Sequence, residues 1–542
     1  MYCRPRTQWR WMTLALCLSF GAAVQAEEAR YDAPRAVVGP LPYLGVHGLG
    51  VDAEGRLYAG SVVGQSLNRV DINSGKVTVF EGPDEGMADD VAFGPDGEMA
   101  WTSYLSGILR IRDADGEVRD AALGLPGINS LAYNQEGRLF ATQVFMGDAL
   151  YEIDRQGEAP VRKIKEDMGG LNGFEFGADG KLYGPLWFKG KVVRVDVDSG
   201  KMETVARDFQ VPAAVNFDAE GRLYVVDTKT GELVRVDVDS GAKTTVATLQ
   251  PALDNLAVDH KRKRIYVSNM ADNSIQEVDP ESGKIRTLVR SDLAAPAGLS
   301  VVGDDIYIAD VFALRRYAVG EGKVHELARV WGSDLEYPMN IWADQDTVVT
   351  ASWAAGVVQE FDRHSGELKR SLHEFKAPHD VVRLNDGSLL VAELASGDLV
   401  RVSGEEGKKR DVVVEDLEGP AGLSLNKDGS ALYVADAGGN LWAFDTDDWS
   451  RRLIRDDLVL PEGIDLTRDG KLLVMEVGKR RLLEVDPVRG DQRVLAEELP
   501  VGLPQLQGLP PTGVFNDVVE AANGDLYFSA DRKGGLYRMK RR

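Results

Sequence analysis

One phrase recurs twelve times along the chain, and this repetition limits the fold more than any other feature. "GVHGLGVDAEGRLYAG" (45–60), "GINSLAYNQEGRLFAT" (127–142), "GLNGFEFGADGKLYG" (170–184) and "VPAAVNFDAEGRLYVV" (211–226) stand among the first six copies. "APHDVVRLNDGSLLVAE" (377–393) and "VFNDVVEAANGDLYFSAD" (514–531) stand among the last six. Copies recur about every 41 residues, a period of propeller blades rather than of helical repeats. Each copy opens with an alternating apolar segment, turns at a D-x-x-G-type sequence, and continues as "LYV". A "VVRVD" segment, a turn such as "DVDSGK" (196–201) and a fourth segment such as "METVA" follow. Asp and Gly occupy positions where turns need left-handed backbone, and the segments between them are β-branched and aromatic. No stretch sustains a helical period. "DVDSG" resembles the start of a calcium loop but lacks the later bidentate Glu, so it reads as a turn.

Twelve four-stranded blades exceed the four to eight of one ring. The expectation is therefore all-β: two tandem six-bladed β-propellers of four-stranded blades. The last copy ends at "GGLYRMKRR", after its third segment, while "PRAVVGPL" (35–42) has no blade of its own. If 35–42 supplies the fourth strand of repeat six, "KIRTLVRSD" (284–292) is free to complete repeat twelve. Each ring is then closed by strand exchange, which removes open edges. This divides the chain into 1–26, 27–280 and 281–542. "PVGLPQLQGLPP" (500–511) is an insertion expected to cross one face.

Residues 1–26 read as a secretory signal: Arg4, Arg6 and Arg10 precede an apolar run that ends in "VQA". The expected location is periplasmic or secreted, with no membrane insertion. Cys3 and Cys17 are the only cysteines, and both lie in this leader. The mature chain therefore has neither disulfides nor thiol chemistry. Losing the three arginines moves the net charge from −23 to −26, which argues against nucleic acid or anionic lipid as partner. A small-molecule substrate fits, and a protein partner stays open.

The residue opening each first strand should point toward the blade axis. In repeats one to six these residues are His47, Asp89, Asn129, Asn172, Ala213 and Asp254. In repeats seven to twelve they are Ala297, Met339, His379, Ala421, Glu462 and Asn516. Oxygen and imidazole groups at buried positions need partners, and a hard cation supplies one for several at once; a hydrated channel is the competing reading. Tyr104, Phe145, Trp187 and Phe188 lie on the second-to-third loops and would form an apolar collar for a small molecule, or else pack blade on blade. His379, Glu462 and Asn516, with Phe312 and Trp353 nearby, make a sparser second candidate. Asp227, Asp310, Glu393, Asp436 and Glu476 end second strands and read as backbone-binding acids.

At these residues the sequence resembles the superfamily of senescence marker protein/gluconolactonase, paraoxonase and strictosidine-synthase-like propellers. "LNGFEFGADGKLYG" is similar to their paired strands, "LDNLAVD" (253–259) to a calcium-holding Asp-Asn stretch, "VHGLGVD" (46–52) to a histidine segment, and "PEGI" (461–464) to a glutamate segment. The resemblance implies Ca²⁺ or another divalent cation held by Asp89, Asn129, Asn172 and Asp254. It also implies an ester or lactone as substrate, with His47 or Asp89 activating water. The chain departs from the family in being tandem and in having no Glu at a first-ring position. Two other classes stay open: a non-catalytic NHL-like binding propeller, and a streptogramin-lyase-like eliminating enzyme.

Overall fold

The computed structural model describes residues 30–41, 43–83, 85–505 and 514–542. The expected leader lies outside the described residues, as does 506–513 of the insertion.

The described chain forms twelve four-stranded antiparallel sheets. Two short 3₁₀ turns, Glu405–Gly407 and Val477–Lys479, are its only helical pieces among the described residues. None of its helices is long and apolar enough to cross a membrane. Repeat four shows the local logic, with strands Glu175–Phe176, Leu182–Leu186, Lys191–Val195 and Met202–Ala206. Its second strand is buried throughout, whereas the fourth is mostly half-buried. Gly180 turns the first hairpin at φ 76°, a conformation that favours glycine. The "DVDSG" segment is a turn: Asp196 accepts hydrogen bonds from the Ser199 backbone N–H at 2.9 Å and from its hydroxyl at 2.7 Å.

The expected strand exchange does not occur. Ile285–Val289 stays beside Ser274–Val278 in its own repeat, and Arg35–Val38 pairs with Gly535–Met539 of repeat twelve. The reason is local. Ile285–Val289 follows its neighbour through the tight 279–284 turn, where Asp279 accepts the Ser282 N–H at 3.0 Å, and short loops close cheaply. The N-terminal strand instead covers the edge that repeat twelve leaves open after its third strand, so no such edge is exposed there. The last strand of the sixth sheet therefore lies beyond the expected 280/281 division.

Innermost strands pack in two series. Leu49–Val51 lies against both Ala88–Phe93 and Leu253–Asp259, while Leu299–Val302 lies against both Asn340–Ala343 and Val518–Glu520. Apolar layers fill the space between successive sheets; one joins Leu109 and Ile111 to Leu131 and Leu139. Another cluster joins the two halves of the chain, with Leu44, Ala252 and Met270 against Phe312, Val330, Met339 and Phe515. Arg329 donates to Asp272 at 2.9 Å and to the Pro251 carbonyl at 3.2 Å. The insertion reaches the first half as expected of a face-crossing loop: Gln65 donates to the Pro504 carbonyl at 3.0 Å. The halves thus face each other through the ends that carry the second-to-third loops.

Candidate functional site between the halves

Several first strands change register just where the polar residues stand, between Ala88 and Val91 and between Leu253 and Leu256. A bulge breaks the alternation of a strand, so two consecutive residues can serve the axis. The first is the position singled out from sequence. The second ties its sheet to the next one. Asp380 accepts the Leu423 N–H at 2.6 Å, and Asp517 the Leu299 N–H at 2.8 Å. Asn255 donates to Asp90 at 3.2 Å. Where glycine fills this position the backbones touch directly: Gly48 N–H donates to the Asp89 carbonyl at 2.6 Å, and a side chain at Gly48 would strike that carbonyl. These tying residues (Asp90, Asn255, Asp380, Asp517) were missed as a class, although each directly follows a recognised position in the sequence.

In the first half the structure brings Asp89 and Asp254 together. Burial raises both carboxyls above their usual range, and the Asp254 charge adds to the effect on Asp89. No described residue donates a hydrogen bond to either carboxylate, and Asp254 keeps part of its surface free although it lies deep in the protein. His47 is also deeply set, and burial lowers its imidazole to about 4. Its Nδ1 lies 2.8 Å from the Gly45 carbonyl. A carbonyl only accepts, so Nδ1 carries the proton and Nε2 keeps its lone pair.

The two amides divide. Asn172 Oδ1 accepts the Gly173 N–H at 2.9 Å and lies 3.1 Å from Ser130 Oγ. The Gly173 contact fixes which amide atom is oxygen, and both lone pairs of that oxygen are engaged. Asn129 Oδ1 is 2.9 Å from the same Ser130 hydroxyl. One hydroxyl carries one proton, so the two amide oxygens share it, and the Asn129 oxygen, which has no other partner among the described residues, keeps a lone pair. The Asp89 and Asp254 carboxylates and the Asn129 oxygen thus keep acceptor capacity, while the Asn172 oxygen is engaged by both Ser130 and Gly173. Among the described residues no group of three or more His, Cys, Asp or Glu side chains is arranged for a metal.

The collar residues have unequal settings. Tyr104 donates to the Val144 carbonyl at 3.3 Å; burial, then Asp89, Tyr337 and Asp254, raises its phenol. Trp187 is buried, whereas Phe145 and Phe188 are 52% and 53% exposed and meet edge to face with ring centres 5.5 Å apart. These two form a rim rather than a wall. Phe312, read from sequence as part of a second-half site, instead reaches the first half, with its ring centre 5.9 Å from that of His47. Gly45 makes room for it, since a side chain there would overlap the Phe312 ring.

The second candidate set makes hydrogen bonds within itself and to nearby backbone. Glu462 accepts the Asn516 backbone N–H at 2.7 Å and its side-chain N–H₂ at 2.9 Å. His379 Nδ1 lies 2.9 Å from the Ala421 carbonyl, and its ring packs on Phe515 with centres 4.9 Å apart. Ala297, Met339 and Ala421 join the apolar cluster between the halves. The acids ending second strands bind backbone as expected. Asp227 accepts from Gln210, Val211, Lys229 and Thr230, Asp310 from Ala294 and Ala295, Glu393 from Lys376, Asp436 from Asn440 and Glu476 from Val459.

Part of the sequence matches a known family model. Residues 184–310 match the family model described as SMP-30/Gluconolactonase/LRE-like region, a stretch running from repeat four into repeat seven. Among solved structures, the chain is similar to a catalytically inactive virginiamycin B lyase from Staphylococcus aureus with quinupristin, at 16% identity and a TM-score of 0.39. That match covers 52% of this chain and 96% of the other. A putative gluconolactonase matches at 14% identity and a TM-score of 0.38, covering 48% of this chain and 93% of its own. No curated protein matches the sequence.

Proposed function

We propose that the chain is an exported, metal-dependent hydrolase acting on a lactone or ester, with its centre in the first half. The observation that carries this reading is the Asp89–Asp254 pair, two enclosed carboxylates that the protein gives no donor. Such a pair is costly without a partner. Asp89, Asp254 and Asn129 would hold a cation, Ca²⁺ being the best match for oxygen donors. When bound, a cation of this kind polarises a carbonyl. His47 is neutral at pH 7 and offers Nε2 to a water proton, while the Gly45 carbonyl fixes its tautomer. Asp89 is the alternative base. Tyr104 and Trp187 line the approach, and Phe145 and Phe188 form its rim.

The architecture we propose with this function is two tandem six-bladed propellers, supported by the return contacts of repeat six on one and of repeat twelve on seven. The units are then 43–289 and 299–542, and Arg35–Val38 completes the second unit after removal of 1–26. A panel of lactones and esters, assayed with and without added calcium on wild type and Asp254→Asn, tests the activity. Calcium-dependent hydrolysis lost in the variant is the expected result. An unsaturated product would assign elimination instead. Ligand binding without turnover would assign a binding propeller.

A further inference from the structure

The chain kinks twice ahead of several first strands, and the residues at those kinks reveal an addition made by repeat seven. The first kink, just after a fourth strand, takes left-handed backbone at Asp167, Asp208, Glu374, Asp416 and Glu498, with φ between 54° and 67°. The second lies two residues before the axial position and falls on Gly45, Met87, Gly127, Gly170, Ala252, Ala377, Gly419 and Leu460. Acids, glycine and aliphatic residues, and no aromatic, stand at those positions. In the loop that follows repeat seven's fourth strand the same kinks carry Trp331, at φ 66°, and Tyr337, at φ 42°. A bulky residue is strained in this region, so nothing in the repeat itself calls for an aromatic here.

Both aromatics lean on the first half. Trp331 meets Trp187 edge to face with ring centres 5.3 Å apart, and packs on the cluster that contains Ala213, the one apolar axial position of that half. Tyr337 is deeply set near Asp254, and no described residue accepts its phenol proton. Phe312 packs on His47 and lies 6.1 Å from the Tyr337 ring.

We propose that the second half supplies the roof of the first half's centre: Trp331 and Phe312 form an apolar wall, and Tyr337 is a hydrogen-bond donor to the ligand. This inference rests on the hydrolase reading for the kind of ligand and adds its shape: an ester or lactone bearing an aromatic or other flat ring, with an oxygen that accepts from Tyr337. The strained backbone is retained for recognition, since strain of this kind persists at functional sites.

The test uses the full-length chain with Trp331→Asn and Tyr337→Ala, which put residues suited to the kinks in place of the aromatics, beside wild type and Asp254→Asn. Thermal melts establish that both kink variants fold, since each also loses packing against the cluster between the halves. For aryl or ring-bearing substrates KM should rise about tenfold or more, with a much smaller change for short alkyl esters. Unchanged constants on both kinds of substrate, with Asp254→Asn inactive, would overturn the roof and leave the hydrolase standing. If wild type turns over nothing, the hydrolase reading fails, and the roof is read with terbium alone. At equal bound terbium, Trp-sensitised emission should be weaker in Trp331→Asn than in wild type. Equal emission, or no bound terbium, would overturn the proposal.

Discussion

Asn172 shows how much of a residue's role its place in the sequence leaves open. Its position marks it as axial, and it is. What sequence does not show is the bulged geometry that turns its oxygen onto Ser130 and Gly173. Asn172→Ala should therefore cost about 1–3 kcal/mol, the price of leaving a buried N–H unmet, while metal content stays as in wild type. Calorimetry and metal analysis of one preparation check both halves of that statement. Asp89 and Asp254 were legible because carboxylates at buried positions are rare. Their isolation from donors was not, because it depends on what the neighbouring sheets fail to offer. Asp517→Ala removes acceptors for the Leu299 and Val518 N–H groups. It should destabilise the chain by about 2–4 kcal/mol, measured by denaturant unfolding.

At the scale of elements, nearly every strand is legible, because the alternation, the D-x-x-G turns and the "DVDSG" turns recur with a fixed period. The closing strand was not. Both "PRAVVGPL" and "KIRTLVRSD" have strand character, and pairing partners are set by edges and connections that one sequence does not display. Deleting residues 30–41 should expose the edge of Gly535–Met539 and accelerate amide exchange there, leaving Ile285–Val289 protected. Exchange that instead accelerates at Ile285–Val289 would restore the swapped arrangement. The interface aromatics were only partly legible: Phe312 was noticed but assigned to its own half, since contacts between repeats far apart in sequence leave no local pattern.

For the whole molecule, the buried acids set a pH dependence. Burial raises Asp90 and Glu175 to about 7 and Asp517 to about 8. Between the unfolded values near 4 and these folded values, the native state holds protons that the unfolded chain releases, so stability falls as pH rises. His47 and His379, both lowered to about 4, act the other way below pH 6.5, where only the unfolded chain protonates them. The decline should therefore be clearest from pH 6.5 to 8, at up to about 1.4 kcal/mol per pH unit for each acid still titrating. Melting temperatures across that range provide the check. A cation at Asp89 and Asp254 favours their charged forms and should flatten the slope.

The claim on which the rest depends is that this acidic pair holds a divalent cation. It is tested most directly by metal analysis and thermal melts at pH 8, with and without a chelator, for wild type and Asp254→Asn. The account predicts about one divalent ion per wild-type chain and a fall of several degrees on chelation, as expected for a ligand that binds only the folded state. In Asp254→Asn it predicts neither the ion nor the response. A wild-type protein that carries no ion and melts identically with calcium and chelator, or a variant that keeps both ion and response, would contradict it.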